Sequence, residues 1–166
     1  MKNVVLIGMP SSGKSAVGAR LAQKIGYGFI DSDLVIQGMK KKSLAQLIAE
    51  GGAEKFIETE AQINGGLDVS RCVIATGGSA VYSDEAMERL KQNGVAVYLK
   101  IDAEEVKRRI PDLVSRGVVM RGTLNNVDDL YQERAPLYER YQDITIDCNQ
   151  KTIDEIVEEI SSYITE

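Results

Sequence analysis

The sequence predicts a single α/β domain, built on a parallel sheet with helices on both faces. Two observations carry this reading. Short β-branched runs alternate along the chain with stretches of helical periodicity, and the first of those runs opens directly into a glycine-rich turn followed by an amphipathic helix. With 166 residues, of which 43% are apolar and 27% charged, the chain has the make-up of one globular domain.

Five strands are expected: Asn3 to Ile7, around Phe29 to Asp31, Cys72 to Ala75, Val95 to Lys100 and Ile144 to Asp147. After the first, Val17, Leu21, Ala22 and Ile25 recur at helical spacing, and after the second so do Leu44, Leu47 and Ile48. Asp102 to Glu105 and Thr152 to Glu155 have the form of capping boxes, a side-chain acceptor followed three residues later by a carboxylate. The last helix is expected to bury Ile153, Ile156, Val157, Ile160 and Ile164. No internal repeat, low-complexity tract or linker interrupts this order. The least patterned stretch, residues 111–127, holds Arg116 and Arg121. A loop of that length inside a compact domain is usually functional, a mobile lid being the common case.

A net charge of -5 argues against a nucleic-acid or anionic-membrane partner, whose protein surfaces are normally basic. The apolar run Val4 to Ile7 is too short for a signal peptide, and nothing approaches the ~18 apolar residues of a membrane span. A cytoplasmic location is the expectation, and so is a monomer, since no exposed apolar stripe stands out. Cys72 and Cys148 are isolated and read as free thiols. There is no histidine, so acid-base or metal chemistry falls to carboxylates, hydroxyls, lysine and arginine.

Gly8-Met9-Pro10-Ser11-Ser12-Gly13-Lys14-Ser15 satisfies G-x-x-x-x-G-K-[ST] between an expected strand and an expected helix. Glycines at 8 and 13 let the backbone curl so that successive N–H groups point inward, and the helix N-terminus adds its positive end. Lys14 brings a point charge for the β- and γ-phosphates of ATP, and Ser15 offers a hydroxyl oxygen to Mg²⁺. Gly8, Ser11, Ser12, Gly13, Lys14, Ser15 and the following Ala16 are thus the candidate nucleotide-binding residues. The guanine-reading N-K-x-D of a GTPase is absent, and the chain leaves little room for the added elements of a motor. A small-molecule kinase is the reading that remains.

Asp31-Ser32-Asp33 follows the second strand, and its i, i+2 spacing in extended chain sends both carboxylates to one side. In an open α/β sheet ligands bind beyond the carboxyl ends of the strands, the end that carries the phosphate loop. One aspartate can serve the metal while the other accepts a proton from an incoming hydroxyl. A helix cap made by Ser32 or Asp33 is the structural alternative. A regulatory nucleotide-binding module is the non-enzymatic alternative, and an acceptor-side carboxylate argues against it.

Joined to Ala75-Thr76-Gly77-Gly78 after the third strand and to Arg134-Ala135-Pro136-Leu137-Tyr138 near the end, these motifs give the chain a resemblance to the shikimate kinase family over nearly its full length. The resemblance implies a P-loop, nucleoside-monophosphate-kinase-like three-layer sandwich with five parallel strands in order 2-3-1-4-5. It implies ATP and Mg²⁺, a small hydroxylated acceptor such as shikimate, Asp31 on the metal and Asp33 on the acceptor hydroxyl. It also implies Gly77 and Gly78 letting backbone amides approach the substrate, Arg134 holding its carboxylate, and Arg109 packing on adenine.

Three positions depart from the family pattern. F-R-x-x-E reads Phe56-Ile57-Glu58-Thr59-Glu60, so an isoleucine stands in place of a carboxylate-binding arginine. The glycine triplet reads Gly77-Gly78-Ser79. The lid signature R-P-L-L is missing, with Arg121 in its nearest match and Arg116 as a rival for the catalytic lid arginine. Without its cationic neighbour, Glu60 is expected to take up a proton, find water or meet a cation on the ligand. An acceptor bearing an amine or fewer carboxylates is therefore the alternative to shikimate.

Overall fold

The computed structural model describes residues 2–110, 117–122 and 124–164. β1 (Asn3–Ile7) is buried along its whole length and leads through the glycine-rich turn into α1 (Lys14–Ile25). Then come β2 (Gly28–Asp31), α2 (Ser32–Lys40) and α3 (Leu44–Gly65), the last bent at Gly52, where φ is 81°. β3 (Cys72–Ala75), a 3₁₀ turn at Ala80–Tyr82, α4 (Asp84–Gln92) and β4 (Gly94–Lys100) follow. α5 (Ala103–Arg109), α6 (Val127–Tyr141), β5 (Ile144–Asp147) and α7 (Ile153–Ile164) complete the order.

The five strands form one parallel sheet in order β2-β3-β1-β4-β5. β1 lies in the middle, so Val5, Leu6 and Ile7 are covered on both faces, as a central parallel strand must be. Val17, Leu21 and Ala22 of α1 pack on one side of the sheet, and Leu130 and Tyr138 of α6 join the same core. All five expected strands are present, three with the expected ends; β2 and β4 each begin one residue earlier, at glycine.

Local capping explains where helices start. Thr152 and Glu155 form the full reciprocal box: Glu155 N–H donates to Thr152 Oγ1 at 3.1 Å and Thr152 N–H to Glu155 Oε1 at 3.0 Å. At Asp102 only half of the box forms. Glu105 N–H donates to Asp102 Oδ1, but Asp102 N–H is taken by Asn149 and the Glu105 carboxylate turns to Arg108 and Arg109. A third box, Ser43 with Gln46, opens α3. The last helix buries Ile156, Val157 and Ile160, and Ile164 is partly buried, whereas Ile153 is 38% exposed because its first-turn position faces solvent. Cys148 is buried, Cys72 half-buried, and both are free thiols. Among the described residues no helix is long and apolar enough to cross a membrane.

Parallel strands point their carboxyl ends the same way, and here that end gathers the turn after β1, Asp31 at the end of β2 and Thr76 after β3. Thr76 is fixed by its Oγ1 donating to Leu6 O at 2.7 Å.

Candidate active site

A cavity of about 720 Å³ opens at this edge, between the turn after β1, α2, the start of α3 and residues 117–119. Its nucleotide end is the loop Gly8 to Ser15. Gly8, Ser11 and Gly13 hold φ values of 151°, 62° and 98°, the left-handed side that curls backbone N–H groups toward a common point. A side chain on Gly8 would also strike Leu99 O, 2.7 Å from where its first carbon would lie. The Lys14 ammonium is buried and donates to Gly8 O at 2.7 Å, Met9 O at 2.8 Å and Ser12 Oγ at 3.4 Å. Burial pulls its pKa down to about 8, against the opposing attraction of Asp33.

Ser15 Oγ donates to Asp31 Oδ2 at 2.6 Å, and both residues line the cavity. A hydroxyl and a carboxylate side by side and open to solvent suit Mg²⁺, a hard cation that takes oxygen ligands and keeps several waters. Asp31 has a second role. Its Oδ1 accepts from the N–H groups of Asp33 and Leu34 and so caps α2. The cap thus falls on Asp31, not on Ser32 or Asp33 as the sequence alternative had it. Ser32 is instead fully buried, and Asp33 projects from the first turn of α2 into the cavity.

The acceptor end is assembled from four elements. Arg134, on α6 and 1% exposed, donates from Nη2 to Val119 O at 2.7 Å and from Nε to Tyr82 Oη at 3.2 Å. Its Nη1 faces Gly78, where a side-chain carbon would come within 2.7 Å. Tyr138, one turn on, donates to Gly78 O at 2.6 Å and holds that backbone in place. Glu60, on α3 and also 1% exposed, accepts from Ser79 Oγ at 2.6 Å. Burial raises the Glu60 pKa to about 7, against the Ser79 hydrogen bond that lowers it. The bare faces of Gly77 and Gly78 therefore admit the Asp33 and Glu60 carboxylates and the Arg134 guanidinium.

Other candidates sit further out. Arg109, at the end of α5, reaches the phosphate loop and donates from Nη1 to Ser11 O at 2.7 Å. Gly8 and Ser12 form the buried inner side of the loop, while Ser11, Gly13, Lys14, Ser15 and Ala16 line the cavity. Ile57 is half-buried and lies outside the cavity lining, as do the buried Glu60 and Gly77, whereas Phe56, Gly78, Ser79 and Arg134 line the cavity. Arg121 also lies outside that lining, stacking 4.3 Å above the Tyr82 ring and pairing with Glu133 at 3.3 Å. Arg116 and Thr123, both in the expected lid, lie outside the described residues. Glu60 did not stay bare: Ser79, the second departure from the pattern, supplies a donor to it. Tyr82, Glu133 and Val119 gave no sequence signal, because contacts made across the fold have no local spacing. Tyr138 stood in a quoted motif with no role attached.

Fold and site together define a P-loop phosphotransferase that acts on a hydroxyl group, with its acceptor pocket beside the phosphate loop. A family profile described as shikimate kinase matches residues 10–165. The shikimate kinase of Pelotomaculum thermopropionicum is 37% identical over 168 residues, covering 100% of this chain and 97% of that protein. That of Caldanaerobacter subterraneus subsp. tengcongensis is 35% identical over 167 residues, covering 99% and 97%. Among solved structures, shikimate kinase from Acinetobacter baumannii in complex with shikimate superposes with a TM-score of 0.88 at 28% identity, covering 99% of this chain and 93% of that one. The enzyme from Aquifex aeolicus gives 0.80 at 27% identity, covering 99% of each chain. The chain belongs to the shikimate kinase family.

Proposed function

We propose that this protein transfers the γ-phosphoryl group of ATP to the 3-hydroxyl of shikimate. One observation carries the reading: Asp33 and Arg134 enter the same cavity as the phosphate loop, so a carboxylate base and a carboxylate-binding guanidinium stand beside Lys14. Arg134 still has Nη1 toward Gly78 after its two internal hydrogen bonds, and a planar guanidinium suits a substrate carboxylate. Asp33 orients the acceptor hydroxyl and takes its proton as the bond to phosphorus forms. Lys14 and the loop N–H groups hold the β- and γ-phosphates and stabilise the charge that develops on them. Ser15 and Asp31 would hold Mg²⁺, whose chemistry is to neutralise phosphate charge. Arg109, anchored on the phosphate loop, flanks the nucleotide.

The lid expected at 111–127 ends earlier than that, since Asn126 caps α6 and Val127 opens it, and Arg121 would act on the transferring phosphoryl by leaving Tyr82 and Glu133. The reading includes a monomer in the cytoplasm, acting on a small molecule and on neither nucleic acid nor membrane.

Turnover with Mg²⁺-ATP, followed across shikimate, quinate, hydroxy amino acids and sugar acids, tests the proposal. Shikimate should be phosphorylated fastest. Negligible turnover of shikimate beside rapid turnover of an amine-bearing acceptor would overturn it.

A further inference from the structure

Directly behind Ser79, which lines the cavity, a buried polar atom is left over. Glu60 is buried, its Oε1 accepts from Ser79 Oγ at 2.6 Å, and its Oε2 has no hydrogen-bond partner among the described residues. Buried acceptors are normally paired, and an unpaired one is costly to keep in place. Oε2 is also not randomly placed. The point that a side-chain carbon would take on Gly77 lies 2.6 Å from Glu60 Oε2 and 2.6 Å from Asp33 Oδ1, so both carboxylate oxygens lie against the bare face of that glycine. Ser79 lines the cavity, but its hydroxyl is turned away into the wall.

We propose that Ser79 is a positioning residue for the acceptor, acting through Glu60: its hydroxyl fixes one carboxylate oxygen so that the other is held beside Asp33 over Gly77. The chain of contacts runs from the loop after β3, through α3, to the first turn of α2. A glutamate has three side-chain torsions, and a hydrogen bond to one oxygen removes the rotation that would carry Oε2 away from Asp33. Held there, Oε2 is buried behind the cavity lining beside Asp33, the residue of the pair that does line the cavity, and a proton on Glu60 satisfies it. The charged and titratable groups that face Glu60 are Asp33 from α2, Lys14 from α1, and Arg134 and Tyr138 from α6. None of them is an alternative donor to Oε2. Ser79 is therefore the only described side chain that restrains this carboxylate by a hydrogen bond.

The inference rests on the acceptor pocket of the proposed function, and the experiment has two arms so that the two can fail separately. In the first, shikimate kinetics are measured for Ser79→Ala, Glu60→Gln and the double variant. Ser79→Ala should raise the KM for shikimate about tenfold and leave the KM for ATP within about twofold, the scale set by the loss of one buried hydrogen bond. In the Glu60→Gln background the same change should have almost no further effect. Equal effects in both backgrounds, or an unchanged KM in Ser79→Ala, overturn the proposal. The second arm needs no acceptor: the Glu60 carboxyl is titrated by ¹³C NMR in the parent protein and in Ser79→Ala. Its midpoint, near 7, should move upward when the donor is lost, and a fixed midpoint overturns the proposal. Failure of shikimate turnover with a shifted midpoint would reject the substrate and retain the role of Ser79.

Discussion

Ser15 Oγ lies 2.6 Å from Asp31 Oδ2, which joins the first turn of α1 to the last residue of β2. Asp31 Oδ1 meanwhile caps α2, so one carboxylate divides its two oxygens between Ser15, the proposed metal side, and the fold. Asp31→Asn separates those roles, because asparagine caps a helix about as well as aspartate but lacks the charge. The melting temperature should stay within about 2 °C of the parent, while the Mg²⁺ needed for half-maximal turnover rises about tenfold. A magnesium titration of initial rates checks this, and an unchanged requirement would place the metal elsewhere.

Lys14→Ala removes the buried ammonium at the mouth of the loop. Because that charge acts on the phosphoryl group in the transition state, kcat should fall about a hundredfold or more, with a smaller change in nucleotide affinity. Steady-state kinetics alongside calorimetric ATP binding separate the two, and a near-normal kcat would take Lys14 out of the chemistry.

Glu60 is a buried carboxylate whose pKa is raised to about 7 from an ordinary 4.5. The folded protein then holds a proton that the unfolded chain has released. Its contribution to stability is complete below about pH 4.5 and is lost as pH rises through 7. Over that interval the loss amounts to about 3 kcal/mol. Glu60→Gln keeps the shape and cannot ionise, so its stability should fall less between pH 5 and pH 8. Urea unfolding at the two pH values measures the difference, and parallel changes in parent and variant would refute the assignment.

Ile57 lies one helical turn before Glu60, and side chains at i and i+3 are neighbours. Ile57→Arg would bring a guanidinium to the Glu60 side of α3 and supply a second partner for a substrate carboxylate. The KM for shikimate should fall about tenfold, the worth of one charge-assisted hydrogen bond. Unchanged kinetics would show that a side chain at 57 does not reach the pocket, in line with the exclusion of Ile57 itself from the cavity lining.

The turn after β1 is legible in the sequence because strand-loop-helix is a local pattern of consecutive residues. The strands were legible for the same reason, since each is a short run of its own. The acceptor end was less so. Ser79 and Glu60 are 19 residues apart and belong to different elements, so the spacing of neither showed that one donates to the other. The side to which Ile57 points has no local signal, because helical position alone does not say which side of a bent helix faces a cavity. Ile153 fitted the apolar period of α7 yet lies at its first turn, where the period continues beyond the edge of the core. Arg121 looked catalytic as a lid arginine, while its stacking on Tyr82 depends on a 3₁₀ turn some 40 residues earlier that no local pattern announced.

Arg134 touches Val119 O, Tyr82 Oη and the Gly78 side of the pocket with three nitrogens of one rigid plane. With Arg134 on the acceptor carboxylate, as in the proposed function, loop backbone and acceptor would be measured from a common ruler, and a shift in one would be registered at the other without passing through the sheet. A lysine at this position would be a single flexible point able to report on one of them at a time. Under that reading, whether the acceptor is seated and where Val119 lies would be the same piece of information.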